Sequence, residues 1–229
     1  MSKAIMLSSS KNTRDIGGIP ALENKKIRVR ALIRSDAPVN ITSNDIVELQ
    51  KIGISKVVDL RSTRQVEKNF AFSRIKTFDY YNFPIIEGEV IPQKIDDVVE
   101  NYWAILNNQN LFDILEVIAN NEKGTIIHCT LGKDRTGVII AFLLLHCGVS
   151  KSDIIADYML TATCMEYEIN RLCNKHPEID KAVIIPRESF IKGLFEKFYS
   201  IYESTDDFFK KHGRISLGEK IKKRLIETN

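Results

Sequence analysis

The chain has 229 residues and carries 33 Lys and Arg against 30 Asp and Glu, a formal charge of +3. That surplus is too slight for nucleic acid or an anionic membrane to be the expected main partner. At 44% hydrophobic and 28% charged residues the composition is globular, which excludes collagen-like and disordered readings, and the length suits a single domain over residues 1–229.

The longest apolar run, Val138 to Leu145, is eight residues, far short of the ~20 that a membrane helix needs, so no integral membrane segment is expected. Near the start, Lys3 is followed only by the short apolar patch Ala4 to Leu7, too brief for a secretory-signal core. The four cysteines, Cys129, Cys147, Cys164 and Cys173, form no C-x-x-C pair. A reducing, cytoplasmic setting is the expectation.

Taken along the chain, strands and helices alternate. Val29 to Ile33 reads as a strand. Thr42 or Ser43 can cap a helix carrying Ile46, Val47 and Leu49, which stops at Gly53. Val57 and Val58 mark a short buried strand ending in Asp59-Leu60-Arg61, and the β-branched and aromatic stretch Thr77 to Phe83 reads as another. Ile95, Val98, Val99, Tyr102, Trp103 and Leu106 recur at helical spacing, and a second helix after Asn110 carries Leu111, Ile114, Leu115 and Ile118. Thr125-Ile126-Ile127, bounded by Gly124 and a polar loop, has the character of a central parallel strand. The helix after it is almost wholly apolar and must be buried. Ser150 caps a further helix, and the remainder reads helical. The fold class is therefore α/β, a central, mostly parallel sheet flanked by helices, with a helical C-terminal half.

Between the central strand and the buried helix lies His128-Cys129-Thr130-Leu131-Gly132-Lys133-Asp134-Arg135-Thr136-Gly137. A tight loop from a strand end into a helix N-terminus turns successive amides inward and makes a nest for an anion. The helix dipole adds positive potential there. Gly132 permits a backbone angle that other residues resist, and Gly137 lets the helix pack closely on the sheet. Cys129 stands at the mouth of this nest with Arg135 six positions on; such surroundings favour a thiolate. The planar guanidinium of Arg135 can hold two phosphate oxygens at once. The constellation suits phosphoryl transfer to sulfur, and the Thr136 hydroxyl can assist when the sulfur leaves. A lone cysteine at a strand end is usually packing, but a packed junction has no use for this much polarity within ten residues.

Cys-x5-Arg-Thr-Gly resembles the signature loop of the cysteine-dependent protein-tyrosine phosphatase superfamily. The fuller string His-Cys-x-x-Gly-Lys-Asp-Arg-Thr-Gly is similar to that of bacterial tyrosine and phosphoinositide phosphatases. Asn12-Thr13-Arg14-Asp15-Ile16-Gly17-Gly18, Arg34-Ser35, Asp59-Leu60-Arg61-Ser62 and Ile154-Ile155-Ala156-Asp157-Tyr158 agree with the same pattern. The resemblance implies Cys129 as nucleophile, Arg135 as phosphate clamp and Asp134 as general acid. It also implies that Thr130, Leu131, Gly132, Lys133, Thr136 and Gly137 bind substrate, with Lys133 meeting extra charge on polyanions such as phosphoinositides. The segment Phe83 to Glu89 lacks the aspartate that many superfamily members carry on a mobile loop, which leaves Glu87 and Glu89 as rival acids.

Arg14, Asp15, Asp59 and Arg61 either line the pocket or form a buried ion-pair network; the network is favoured. His128 is expected to fix the cysteine through backbone carbonyls, and Asp36 to be a turn residue. Cys147, Cys164 and Cys173 read as core residues, and Lys220 to Arg224 as the solvated face of a last helix. His176 and His212 sit in polar surroundings without metal-ligand spacing, so no metal and no cofactor are expected. The expected substrate is a phosphotyrosine protein or a phosphoinositide. The rival reading is a catalytically silent phosphate-binding module.

Overall fold

The computed structural model describes residues 3–38, 40–87 and 90–227, and the apolar runs decide its layers. Strands β1 (Lys3–Ala4), β2 (Arg14–Asp15), β3 (Leu32–Ser35), β4 (Ile54–Asp59), β5 (Asp79–Asn82) and β6 (Gly124–His128) form one sheet in the order β1-β2-β3-β6-β4-β5. The β1–β2 and β2–β3 pairings are antiparallel; β3, β6, β4 and β5 run parallel. The helices are α1 (Ser43–Lys51), α2 (Thr63–Lys68), α3 (Ile95–Leu106), α4 (Leu111–Ala119), α5 (Arg135–His146), α6 (Lys151–Cys164), α7 (Glu166–Lys175), α8 (Lys181–Ile184), α9 (Glu188–Tyr199), α10 (Thr205–Lys211) and α11 (Ile215–Leu225). The α/β class, the mostly parallel sheet and the helical second half are as expected. None of the helices among the described residues is long and apolar enough to cross a membrane.

Strand β6 is buried along its whole length and pairs in parallel with a neighbour on each side. Successive side chains of a strand point to opposite faces, so a strand covered on both faces needs a continuous apolar run rather than an alternating one. Ile126 accordingly packs with Ile33, Val57, Leu49 of α1 and Phe72. Ile127 joins Leu32, Val58 and the apolar residues of α5 on the other side. Ser35, His128 and Asp59 lie in register at the ends of β3, β6 and β4. Three parallel strands thus stop together, and the loop after β6 opens at their carboxyl ends, where ligands of open α/β sheets are bound.

Several boundaries differ from the sequence reading. The strand assigned to Val29 to Ile33 begins only at Leu32, because Arg30 has φ +61° and donates its amide to Asp15 Oδ2 at 2.8 Å, holding a turn in which Val29 is half exposed. The Thr77 to Phe83 strand contracts to Asp79–Asn82. Of the two candidate caps for α1, Thr42 does the capping, in a reciprocal box with Asp45. Ser150 caps α6 as expected. His212 is exposed as the polar reading expected and its Nδ1 donates to the Phe208 carbonyl at 2.8 Å, but one face of its ring packs on aromatics, with ring centres 4.3 Å from Phe208 and 5.3 Å from Phe112. Cys147 and Cys173 are buried, whereas Cys164 is exposed. The basic tail is only partly solvated. Arg224 donates to the carbonyl oxygens of Asn121 and Lys123, and Lys222 pairs with Asp206 at 2.7 Å.

A buried histidine joins the last helices to the core. His146, at the end of α5, donates from Nε2 to the Gly218 carbonyl at 2.9 Å, so its Nδ1 accepts from the Thr205 hydroxyl at 3.0 Å. Burial holds its pKa down to about 4. The unfolded chain then binds a proton near pH 6.5 that the folded chain refuses, and stability falls as the medium is acidified through that window. The expected loss between pH 6.5 and 4 is about 3 kcal/mol. Urea titrations of wild type and His146→Gln at both pH values check this. Equal losses in the two proteins would mean that other groups set the acid limb.

Candidate active site

Strand β6 delivers Cys129 to the carboxyl edge of the sheet, and α5 begins six residues later with Arg135. The intervening loop is held from outside by its carbonyls. Ala37 donates its amide to Thr130 O at 3.1 Å, Asn12 Nδ2 donates to Leu131 O at 2.8 Å, and Arg34 Nη2 donates to Gly132 O at 2.5 Å. Carbonyls turned outward leave the amides on the cavity side, and among the described residues those of 130–134 donate to no protein group. Gly132 has φ +66°, and a Cβ there would stand 2.5 Å from the Ser35 carbonyl oxygen. Only glycine fits that position. At Gly137 a Cβ would lie 3.2 Å from the Tyr158 ring, so the close approach it permits is to α6 rather than to the sheet.

The supports of the loop form two buried ionic knots, which hold Arg14, Asp59 and Arg61 as the network reading expected but not Asp15, whose carboxylate accepts from backbone amides instead. In the first, Asp157 of α6 accepts from Arg14 Nε at 2.8 Å and from Arg34 Nη1 at 2.5 Å. Burial alone would raise the Asp157 pKa; the two guanidiniums overcome it and hold the carboxyl down to about 2. In the second, Asp59 accepts from Arg61 Nε at 2.9 Å, Arg61 Nη2 at 2.7 Å and the Tyr80 hydroxyl at 2.8 Å. His128 is fully buried beside it. Its Nδ1 donates to the Cys129 carbonyl at 3.2 Å, and burial lowers its pKa. Asp15 caps the amides of Gly17 and Arg30, and the Asp36 carboxylate accepts from the amide of Asn12 at 2.8 Å. Asn12, Arg14, Asp15, Asp59 and Arg61 thus shape the frame around the loop.

Over the loop lies a cavity of about 330 Å³ lined by Cys129, Thr130, Leu131, Asp134 and Arg135 together with Gln65 of α2 and residues of α7. Cys129 is 3% exposed. The Arg135 guanidinium spreads across the cavity wall, donating from Nη1 to Gln65 Oε1 at 2.9 Å and from Nη2 to Thr130 Oγ1 at 3.2 Å. Among the described residues, its Nε and the Thr136 hydroxyl are buried without hydrogen-bond partners. Lys133 departs from the polyanion expectation. Its ammonium is buried, 3.1 Å from Asp134 Oδ1 and 3.4 Å from the Val183 carbonyl on α8, outside the lining of the Cys129 cavity. Asp134 lines both the Cys129 cavity and a neighbouring one that Lys133, Tyr102 and Val183 also line. Its Oδ1 also accepts from the Tyr102 hydroxyl at 2.6 Å, which lies 2.7 Å from that of Tyr158. Of the rival acids, Glu87 accepts from Asn108 Nδ2 at 2.7 Å and does not line the cavity, and Glu89 lies outside the described residues.

Sequence reasoning missed Gln65 and the cationic side chains Arg171 and Lys175 of α7, all of which line the cavity. The one signal for Gln65 is Ser62 after Asp59-Leu60-Arg61, whose side chain caps α2 and starts it at the sheet edge. The α7 residues read as an ordinary polar helix face. Burial pushes the Cys147 thiol up to about 12, which suits a packing residue. Among the described residues no group of three His, Cys, Asp or Glu is placed to hold a metal ion.

A cysteine and an arginine stand at the two ends of one strand-to-helix loop at the carboxyl edge of the parallel strands, facing one cavity. Residues 5–227 match the model of the tyrosine phosphatase family, and the chain belongs to that family. It is 30% identical over 163 residues to a Cupriavidus necator protein named as a tyrosine-protein phosphatase, covering 65% of this chain and 59% of that one. A tyrosine-protein phosphatase of Nostoc commune is 29% identical over 157 residues, 64% of this chain and 53% of the relative. The triple specificity protein phosphatase PtpB of Mycobacterium tuberculosis is 25% identical over 173 residues, 58% and 61%. The chain thus spans a little over half the length of these relatives. Among solved structures, P. aeruginosa TpbA is similar at a TM-score of 0.42 with 16% identity over 69% of this chain and 77% of that one.

Proposed function

We propose that this chain is a metal-independent phosphomonoesterase that acts on phosphotyrosine in proteins through a covalent phosphocysteine. The observation that carries the reading is the pairing of Cys129 and Arg135 across one cavity, above a loop whose Thr130, Leu131 and Gly132 carbonyls are tied outward. The Cys129 thiolate attacks phosphorus, forming the S–P bond as the bond from phosphorus to the tyrosyl oxygen breaks. Arg135 and the loop amides of Thr130 to Asp134 hold the three equatorial oxygens. The Asp134 carboxyl gives its proton to the departing oxygen. Water then attacks the phosphocysteine and returns a proton to Asp134. The S–P bond breaks and inorganic phosphate leaves.

Thr130, Leu131 and Gly132 form the amide cradle. Gly137 lets α5 approach α6, the Thr136 hydroxyl, buried without a partner among the described residues, donates to the sulfur as the S–P bond breaks, and Lys133 stands beside the acid. Residues 1–229 form one phosphatase domain in this reading, and its four free cysteines support a reducing, cytoplasmic setting. A phosphoinositide is the second substrate class. It is favoured by Lys175, which lines the same cavity as Cys129 and offers charge to a second phosphate, and by Arg171 there, whose guanidinium is paired with Glu168 at 2.7 Å.

The test is phosphate release in EDTA from phosphotyrosine peptides, phosphoserine peptides and phosphoinositides. Turnover of the phosphotyrosine peptide is expected, undiminished by the chelator. Binding of that peptide without phosphate release would leave the silent phosphate-binding module as the reading.

A further inference from the structure

Asp134 occupies the N-cap position of α5, where an aspartate commonly accepts from the amides of the first turn. Its side chain makes no such bond. The carboxyl is turned sideways instead, and among the described residues both of its polar contacts fall on one oxygen. Oδ1 lies 2.6 Å from the Tyr102 hydroxyl and 3.1 Å from Lys133 Nζ. A carboxylate can only accept, so the Tyr102 O–H donates to it, and the Tyr158 hydroxyl at 2.7 Å donates in turn to Tyr102. Direction along the chain Tyr158, Tyr102, Asp134 is therefore set by its acceptor end.

We propose that Tyr102 is the positioning residue for the acid: by occupying Oδ1, it confines the transferable proton to Oδ2, the oxygen left to the Cys129 cavity. The inference rests on Asp134 acting as general acid. Both rings are only 1% exposed, one on α3 and one on α6, so helices that never touch the substrate carry the orientation. Burial, and then the nearby carboxyl, hold the Tyr102 phenol well above its ordinary pKa, and burial does the same for Tyr158. The donor therefore stays protonated wherever the enzyme works, and reversal of its direction would need a proton on Oδ1, which the Lys133 ammonium 3.1 Å away opposes. Lys133 adds a second donor to the same oxygen, which gives this buried lysine a use apart from the substrate.

The test is a double-mutant cycle of Tyr102→Phe and Asp134→Asn, with kcat and KM measured on a phosphotyrosine peptide and on p-nitrophenyl phosphate. An acid matters for a poor leaving group and little for a stable phenolate. Asp134→Asn is expected to show that split between the substrates; equal losses on both would remove the acid reading and the positioning role with it. Given the split, Tyr102→Phe should lose roughly tenfold or more in kcat on the peptide, with KM and p-nitrophenyl phosphate turnover within about threefold. The alkaline limb of its peptide kcat profile should flatten, and in the Asp134→Asn background the substitution should cost nothing further. Retained p-nitrophenyl phosphate turnover shows that the variant is folded. Equal losses on both substrates, or losses that add to those of Asp134→Asn, would overturn the proposal and leave Tyr102 as a packing residue.

Discussion

Cys129→Ser should abolish turnover, by at least ~10³-fold in kcat, while leaving phosphate binding in place. A hydroxyl in the same cradle stays protonated and is a poor nucleophile at neutral pH. The cradle itself does not depend on the thiol. Ala37, Asn12 and Arg34 hold the carbonyls of Thr130, Leu131 and Gly132, and none of these bonds involves the cysteine side chain. Calorimetry with a phosphotyrosine peptide should therefore give a Kd for the variant close to the KM of the wild type, and vanadate should compete with the peptide. Residual kcat within tenfold of wild type would sink the phosphocysteine mechanism.

Arg135→Lys is expected to be nearly as severe, although it keeps the charge. The guanidinium places Nη1 against Gln65 and Nη2 against Thr130 in a single plane, with Nε buried and without a protein partner among the described residues. A lysine ammonium is a point charge on a flexible stem and reaches only one side of that plane. The loss in kcat should be at least ~10²-fold, comparable to deleting an oxyanion donor. Steady-state kinetics on p-nitrophenyl phosphate isolates the effect, because that leaving group asks little of the acid. A lysine enzyme with near-normal kcat would show that Arg135 acts through its charge alone.

Much of the site is legible in the sequence because it is local. His128 to Gly137 are contiguous, and the strand before them and the helix after them announce themselves by unbroken apolar runs. Local periodicity likewise placed α3 and α4, and the positive φ of Gly132 is the conformation that glycine alone adopts at no steric cost. Even the ionic frame is half visible, since Arg14, Asp15, Asp59 and Arg61 are charged residues beside apolar segments that must be buried.

What the sequence by itself determined, then, is the α/β class, the central strand, and the strand-to-helix loop that carries the candidate pair Cys129 and Arg135. Short-range pattern is enough where each element's neighbours in space are also its neighbours in the chain. The tertiary structure alone decided which distant residues complete the site. Asp157 reaches Arg14 across 143 positions, Tyr102 reaches Asp134 across 32, and α7 brings Arg171 and Lys175 over a cysteine that precedes it by some forty residues. It also turned Lys133 away from the cavity toward α8, and set the start of β3 through the turn at Arg30 that Asp15 holds from another strand. Such pairings depend on how helices pack on the sheet, and packing answers to shape and burial summed over the whole core. No window along the chain contains that sum.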